Sequence, residues 1–230
     1  MVFPLRDSIR ARRRPWVTWG LVAANLLVFI AEIAADRSVY GLLELFGVVP
    51  TQALALRVWI ATGGWPLVTL ITSTFFHGSW LHLLGNMLYL WVFGDNVEDL
   101  LGHGRYLLFY ILCGALANLA HIFANPTSPV PTIGASGAVA GVLGAYLFSF
   151  PQARVLTLFH LGIIIPAVPV RAWLYLVLWF LSQLYSGLSP IWVSGGAQSV
   201  AFWAHISGFL SGFALVRLLA PKPKAPVPGG

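Results

Sequence analysis

The chain alternates long runs without a charged residue and short basic clusters. No Asp, Glu, Lys or Arg occurs from Val58 to Gly94, from Tyr106 to Ala153 or from Ala172 to Val216. Each of the last two runs can hold two bilayer-spanning helices of about 20 residues. Each is also interrupted where a cut would fall, by "NPTSPVPTIG" and by "SGLSPIWVSGGAQS", both rich in the Pro, Gly and Ser that end helices. The pattern predicts six helices, at about 16–35, 79–98, 104–124, 136–150, 171–188 and 199–219. The segment 155–170, "VLTLFHLGIIIPAVPV", is apolar but short and carries two prolines, which predicts an interfacial connection rather than a span.

Composition names the solvent. With 58% hydrophobic residues, 9% charged residues and ten Trp, the chain is too apolar for a water-soluble domain of its size. The expected class is an all-α integral membrane protein: a basic N-terminus over 1–15, a six-helix bundle over 16–219 and a disordered Pro-rich tail over 220–230. The basic start and apolar core of "RARRRPWVTWGLVAANLLVFIAEIAA" also fit a cleaved signal peptide, against which five further spans of the same character weigh. With both termini cytoplasmic, the inner side collects Arg6, Arg10, Arg12, Arg13, Arg14, Arg105, Arg154, Arg171, Arg217, Lys222 and Lys224, leaving Arg37 and Arg57 outside. That bias sets the orientation, and the expected location of this multi-pass protein is the plasma (inner) membrane. The net charge of +6 then speaks for topology and contact with the lipid bilayer, not for nucleic acid. The lone Cys113 cannot form an internal disulfide and reads as a buried small residue.

In this topology the second, fourth and sixth spans begin at the outer face. The fourth is short. Its 15 residues from Ser136 to Phe150 make about 22 Å of helix against a hydrocarbon core of about 30 Å. With Gln152 and Arg154 at the inner interface, Ser136 lies below the outer surface, at a helix start preceded by irregular backbone, which is tolerated there only inside protein or beside water. His82 opens the second span with Asn86 at i+4 on the same face. His205 sits about 18 Å of helix above Arg217. Intramembrane polar groups at a common depth are candidate sites. Gly137 and Gly141, with Gly144 beyond, and Gly208 and Gly212 form small-residue faces that let the fourth and sixth helices approach. Taken singly, each of these residues also reads as helix-packing glue; their coincidence favours a site.

Four segments, "PLRD" with the basic residues around it, "HGSWLHLLGN", "GASGA" and "AHISGFLSG", together resemble the rhomboid family of intramembrane serine proteases, over about residues 1–219. The resemblance implies a six-transmembrane-helix rhomboid-like bundle that cuts transmembrane protein substrates. It places the nucleophile on Ser136, between the motif glycines Gly134 and Gly137, the base on His205, and the second-span His and Asn on His82 and Asn86. Two features depart from the family pattern. The aromatic that some members carry four residues after the nucleophile is here Ala140, and the outer-loop Trp-Arg pair has only "RVW", Arg57 to Trp59, as a poor counterpart.

The chemistry stands on its own terms. A serine hydroxyl needs a base to take its proton, and a neutral imidazole suits that near pH 7. The tetrahedral oxyanion needs donors, for which the Ser136 backbone N–H, His82 and Asn86 are candidates. No His-Glu-x-x-His occurs, and neither a metal nor a cofactor is expected. Two other functions compete: a catalytically inactive rhomboid-like membrane scaffold, expected to lack Ser136 or His205, and a small transporter, expected to show inverted halves. His77, His103, His121 and His160 read as interfacial hydrogen-bonders, with His77 near a water entrance. Asp95, Glu98 and Asp99 read as solvated or paired with Arg105.

Overall fold

The computed structural model of the protein describes residues 2–35, 39–160, 164–189 and 201–221. Helices occupy the six stretches that the apolar runs mark out: α1 (Trp16–Ala34), α6 (Trp80–Leu101), α7 (His103–Ala124), α8 (Ser136–Ser149), α9 (Ala172–Leu188) and α10 (Phe202–Leu219). Residues 199–200, at the expected start of the last helix, lie outside the described residues, as does the tail from 222 onward. Between α1 and α6 come four short helices, α2 (Val39–Phe46), α3 (Pro50–Ala53), α4 (Leu56–Ala61) and α5 (Trp65–Thr72).

Among the described residues α1, α7 and α10 are each long and apolar enough to cross a membrane. The stretch Trp65–Phe75 and α6 qualify together, bent by 84° at their junction, and α8 and α9 are shorter apolar helices. Length and composition therefore support three or four crossings where the charge pattern predicts six. The outer surface agrees with a lipid environment. Leu27, Trp91, Leu178, Leu210 and Leu218 all project from the bundle, exposed by 53–78%, which water would not tolerate over so continuous a surface. This is an integral membrane protein.

At the centre stands α8, whose residues Gly137 to Tyr146 are all buried. A helix buried on every side needs small residues wherever a neighbouring backbone comes close. A Cβ on Gly208 would run into the Gly137 carbonyl, one on Gly212 into the Gly141 carbonyl, and one on Gly144 into the Phe209 carbonyl. On the other face of α8, Gly137 and Gly141 leave room for Ala117 and Cys113 of α7, 2.5 Å from where their Cβ atoms would stand.

Against the expected all-α class, the mostly helical chain adds a three-stranded antiparallel sheet in the order β1 (Val2–Asp7), β2 (Arg154–His160), β3 (Ile164–Arg171). The 155–170 segment is thus a hairpin. It forms no spanning helix, and its strands accommodate the prolines because proline is excluded only from a central strand. Pro4 lies in β1 and Pro166 and Pro169 in β3, the two edges, while the central β2 has none.

The acidic cluster at the end of α6 is likewise not what the sequence suggests. Glu98 is 1% exposed and caps the start of α1: Val17 N–H and Thr18 N–H donate to its oxygens at 2.9 and 2.8 Å, and the Thr18 hydroxyl at 2.7 Å. His103 Nδ1 stands 2.6 Å from Glu98 Oε1. Asp99 accepts from the Arg12 and Arg13 backbone N–H groups and pairs with the Arg13 side chain. The carboxylate partners are therefore the β1–α1 connection, Thr18 and His103, and not Arg105. Asp7, at the end of β1, accepts from Asn96 of α6 at 2.9 Å and from the Tyr146 hydroxyl of α8.

Candidate active site

Ser136 is the first residue of α8. The chain reaches it through Gly134, whose φ of 122° is a conformation open to glycine alone without strain. Gly134 N–H donates to the Ser73 carbonyl at 2.9 Å, which ties this turn to the bend before α6. A Cβ on Gly134 would stand 2.6 Å from His82 Nε2 and 3.7 Å from Ser136 Oγ. Backbone, imidazole and hydroxyl thus meet in one small volume. Being in the first turn of a helix, the Ser136 backbone N–H has no acceptor in its own helix. Its hydroxyl has no hydrogen-bond partner among the described residues.

Ser136, His82, Asn86 and His205 line one cavity of about 650 Å³, so the four polar residues singled out by depth share a single space. Gln183 and Trp179 of α9 close its far wall. His205 is held there by its Nδ1, 2.7 Å from Gln183 Oε1. Two aromatic rings contact its imidazole: Trp179, tilted by 32° with centroids 6.1 Å apart, and Phe202, edge-on at 6.2 Å. Ring packing on His205 therefore comes from α9 and α10 themselves, in a chain that has Ala140 four residues after the serine.

On the other wall, Ser79 caps α6 by accepting from His82 N–H at 3.2 Å, which fixes where His82 enters the cavity. Asn86, only 8% exposed, has its side-chain nitrogen 3.1 Å from His77 Nε2, while His77 Nδ1 lies 3.3 Å from the Phe75 carbonyl. A carbonyl only accepts, so Nδ1 carries the proton and Nε2 takes the Asn86 amide hydrogen. The His77 backbone N–H in turn donates to the buried Glu32 of α1 at 3.2 Å. His121 belongs to a separate group, with Thr132 Oγ1 at 2.8 Å and Asn125. The side chain of His160 lies outside the described residues.

Sequence reasoning missed Gln183, Trp179, Glu32 and the second role of His77. A signal existed for the first two. Gln183 is an amide inside an apolar helix, and Trp179 precedes it by four residues, on the same face. As for metals, no group of three or more His, Cys, Asp or Glu side chains is placed to hold an ion among the described residues. The residues that line the cavity supply instead a hydroxyl, two imidazoles and two side-chain amides.

Comparison with known proteins gives this arrangement a lineage. Residues 64–222 match the rhomboid domain model, covering the bend before α6, Ser136 and His205. Rhomboid-like protein 11, chloroplastic, of Arabidopsis thaliana is 33% identical over 159 residues, 67% of this chain and 53% of the relative. Rhomboid protease GluP of Bacillus subtilis is 35% identical over 136 residues, 59% of this chain and 25% of the relative. Rhomboid protein 1, mitochondrial, of Saccharomyces cerevisiae is 31% identical over 153 residues, 63% of this chain and 40% of the relative. The chain thus spans between a quarter and about half of the length of these relatives. A serine at the start of a buried helix, a histidine across a glycine-lined contact and a family match that covers both carry one conclusion: this chain belongs to the rhomboid family.

Proposed function

We propose that the protein is an intramembrane serine endopeptidase that cuts transmembrane protein substrates with a Ser136–His205 dyad. One observation carries the reading: Ser136 and His205, on different helices, share a single cavity with His82 and Asn86. The Ser136 hydroxyl loses its proton to His205 as its oxygen attacks the scissile carbonyl. The oxyanion that forms is held by the Ser136 backbone N–H, the free hydrogen of the Asn86 amide and His82. His205 then gives its proton to the leaving amine, and water hydrolyses the acyl-enzyme by the same route in reverse. Gly134 and Gly137 frame the nucleophile, and Gly141, Gly208 and Gly212 hold its helix against that of the base.

The catalytic unit is residues 16–219, in the plasma (inner) membrane, with both termini and the basic 1–15 segment cytoplasmic. Ser136 then lies toward the outer face. Substrates are single-span proteins cut in or just outside the outer part of their span, where the helix must unwind to present its carbonyl. GluP, a relative by sequence, is named a protease, which agrees with this reading.

The test is labelling with a fluorophosphonate probe in detergent, beside cleavage of a single-span substrate. Wild type is expected to be labelled and active, and Ser136→Ala neither. His205→Ala is expected to lose both while remaining folded, because the two groups act as one unit. Cleavage by either variant near the wild-type rate would sink the assignment.

A further inference from the structure

We propose that Gln183 is a positioning residue for His205, filling the place that a carboxylate fills in a three-residue triad, with Trp179 one turn earlier completing the hold on the ring. The proposal rests on His205 being the base. The Gln183 amide cannot be turned round without loss. Its Nε2 donates to Ser182 Oγ at 3.1 Å, and the Ser182 hydroxyl hydrogen is committed to the Trp179 carbonyl at 2.6 Å. The serine oxygen must therefore accept from Gln183, which turns Gln183 Oε1 toward His205 Nδ1 at 2.7 Å. An amide oxygen only accepts, so Nδ1 carries the imidazole hydrogen and Nε2 keeps its lone pair.

That tautomer is the one a base needs. When the Ser136 proton moves to Nε2, the Nδ1 hydrogen stays on the ring, donated to Gln183 Oε1, and the imidazolium keeps its orientation until it protonates the leaving amine. The Trp179 ring, tilted by 32° to the imidazole with centroids 6.1 Å apart, packs beside it and limits its movement. Gln183 brings orientation without net charge. The titratable side chains that line the cavity beside His205 are His82 and Tyr89 of α6, with no carboxylate among the lining residues. Gln183 therefore supplies a neutral hydrogen-bond acceptor that orients the ring, not a countercharge.

The experiment uses the full chain in detergent, with the fluorophosphonate probe and a single-span peptide substrate. Gln183→Leu removes the acceptor at similar size. It should slow both probe labelling and kcat by about 10- to 100-fold, the range found when the hydrogen-bond partner that orients a metal-binding histidine is removed, with KM unchanged. Gln183→Glu keeps the acceptor and adds a negative charge that favours the imidazolium. It should recover most of the rate and move the acid limb of the pH–rate profile to higher pH. If Gln183→Leu fails to fold, judged by its thermal transition, the displaced acid limb of Gln183→Glu carries the test alone. Wild-type labelling by Gln183→Leu, or an unmoved acid limb in Gln183→Glu, overturns the proposal. With Ser136→Ala unlabelled in the same experiment, that outcome removes Gln183 alone, whereas labelled Ser136→Ala removes the dyad.

Discussion

Gly134 is constrained from two sides, by a φ that side chains rarely adopt and by His82 standing where a Cβ would go. Gly134→Ala therefore carries about 1–3 kcal/mol of backbone strain and pushes the imidazole away from Ser136. The expected outcome is a folded, weakly labelled protein, and full fluorophosphonate labelling of this variant would show that the turn has slack. On the donor side, Asn86→Ala should lower kcat by about 10- to 1000-fold, with His82→Ala at least as severe, as for the loss of one oxyanion donor. Steady-state kinetics on a single-span substrate decides it, and unchanged kcat in both would put the oxyanion elsewhere. Ser136, His205, His82 and Asn86 could be picked out in the sequence because a polar side chain inside an apolar run is conspicuous. Gln183 and His77 act through a partner on another part of the fold. Their bonds to His205 and Asn86 exist only after α9 meets α10 and the bend before α6 closes.

Among the elements, α8 and α10 touch backbone to backbone, so side chains added there have nowhere to go. Gly212→Val should destabilise the protein by about 1–3 kcal/mol or more through overpacking against the Gly141 carbonyl, read as a lowered thermal transition in detergent. Glu98→Ala strips the acceptor from two α1 N–H groups and the Thr18 hydroxyl. It should cost about 1–3 kcal/mol, the range for buried donors left unpaired, and a wild-type transition temperature would show that another group replaces it. Helix positions were legible from charge-free runs and their Pro, Gly and Ser breaks. The sheet was not, because β1 and the hairpin are 147 residues apart at their closest ends, Asp7 and Arg154. Neither segment buries a face until the other is present, and edge prolines hide strand character. Glu98 as a cap was equally invisible, since its partners belong to a helix that begins 82 residues earlier in the chain, at Trp16.

For the molecule as a whole, the polar end formed by β1, α6 and α8 should respond to pH. Burial raises the Asp7 carboxyl above its ordinary value, against the opposing effect of the Tyr146 hydroxyl bond, and Asp95 faces it across the Asn96 amide. The folded protein therefore holds the Asp7 proton more tightly than the unfolded chain does. That contribution to stability is complete below the ordinary aspartate value and is lost as pH rises through the raised one. Asp7→Asn should flatten this part of the stability profile in a thermal-denaturation series across acidic pH, and identical slopes for variant and wild type would exclude Asp7 as the source. The glycine contact between α8 and α10 sets a limit on motion across the same scale. Its fit is made by carbonyls and α-carbons, which have no rotamers to exchange, so the two helices form a single beam with the serine and the histidine riveted at one end. Side-chain fluctuation along that seam cannot widen the gap between them. Any widening of the cavity therefore falls to a looser wall, and α9 is such a wall: only Ala172, Tyr175, Leu176 and Gly187 of it are buried, against ten consecutive residues of α8. The same helix carries Gln183 and Trp179, so an outward swing of α9 would also let go of the His205 ring and recover it only on closing.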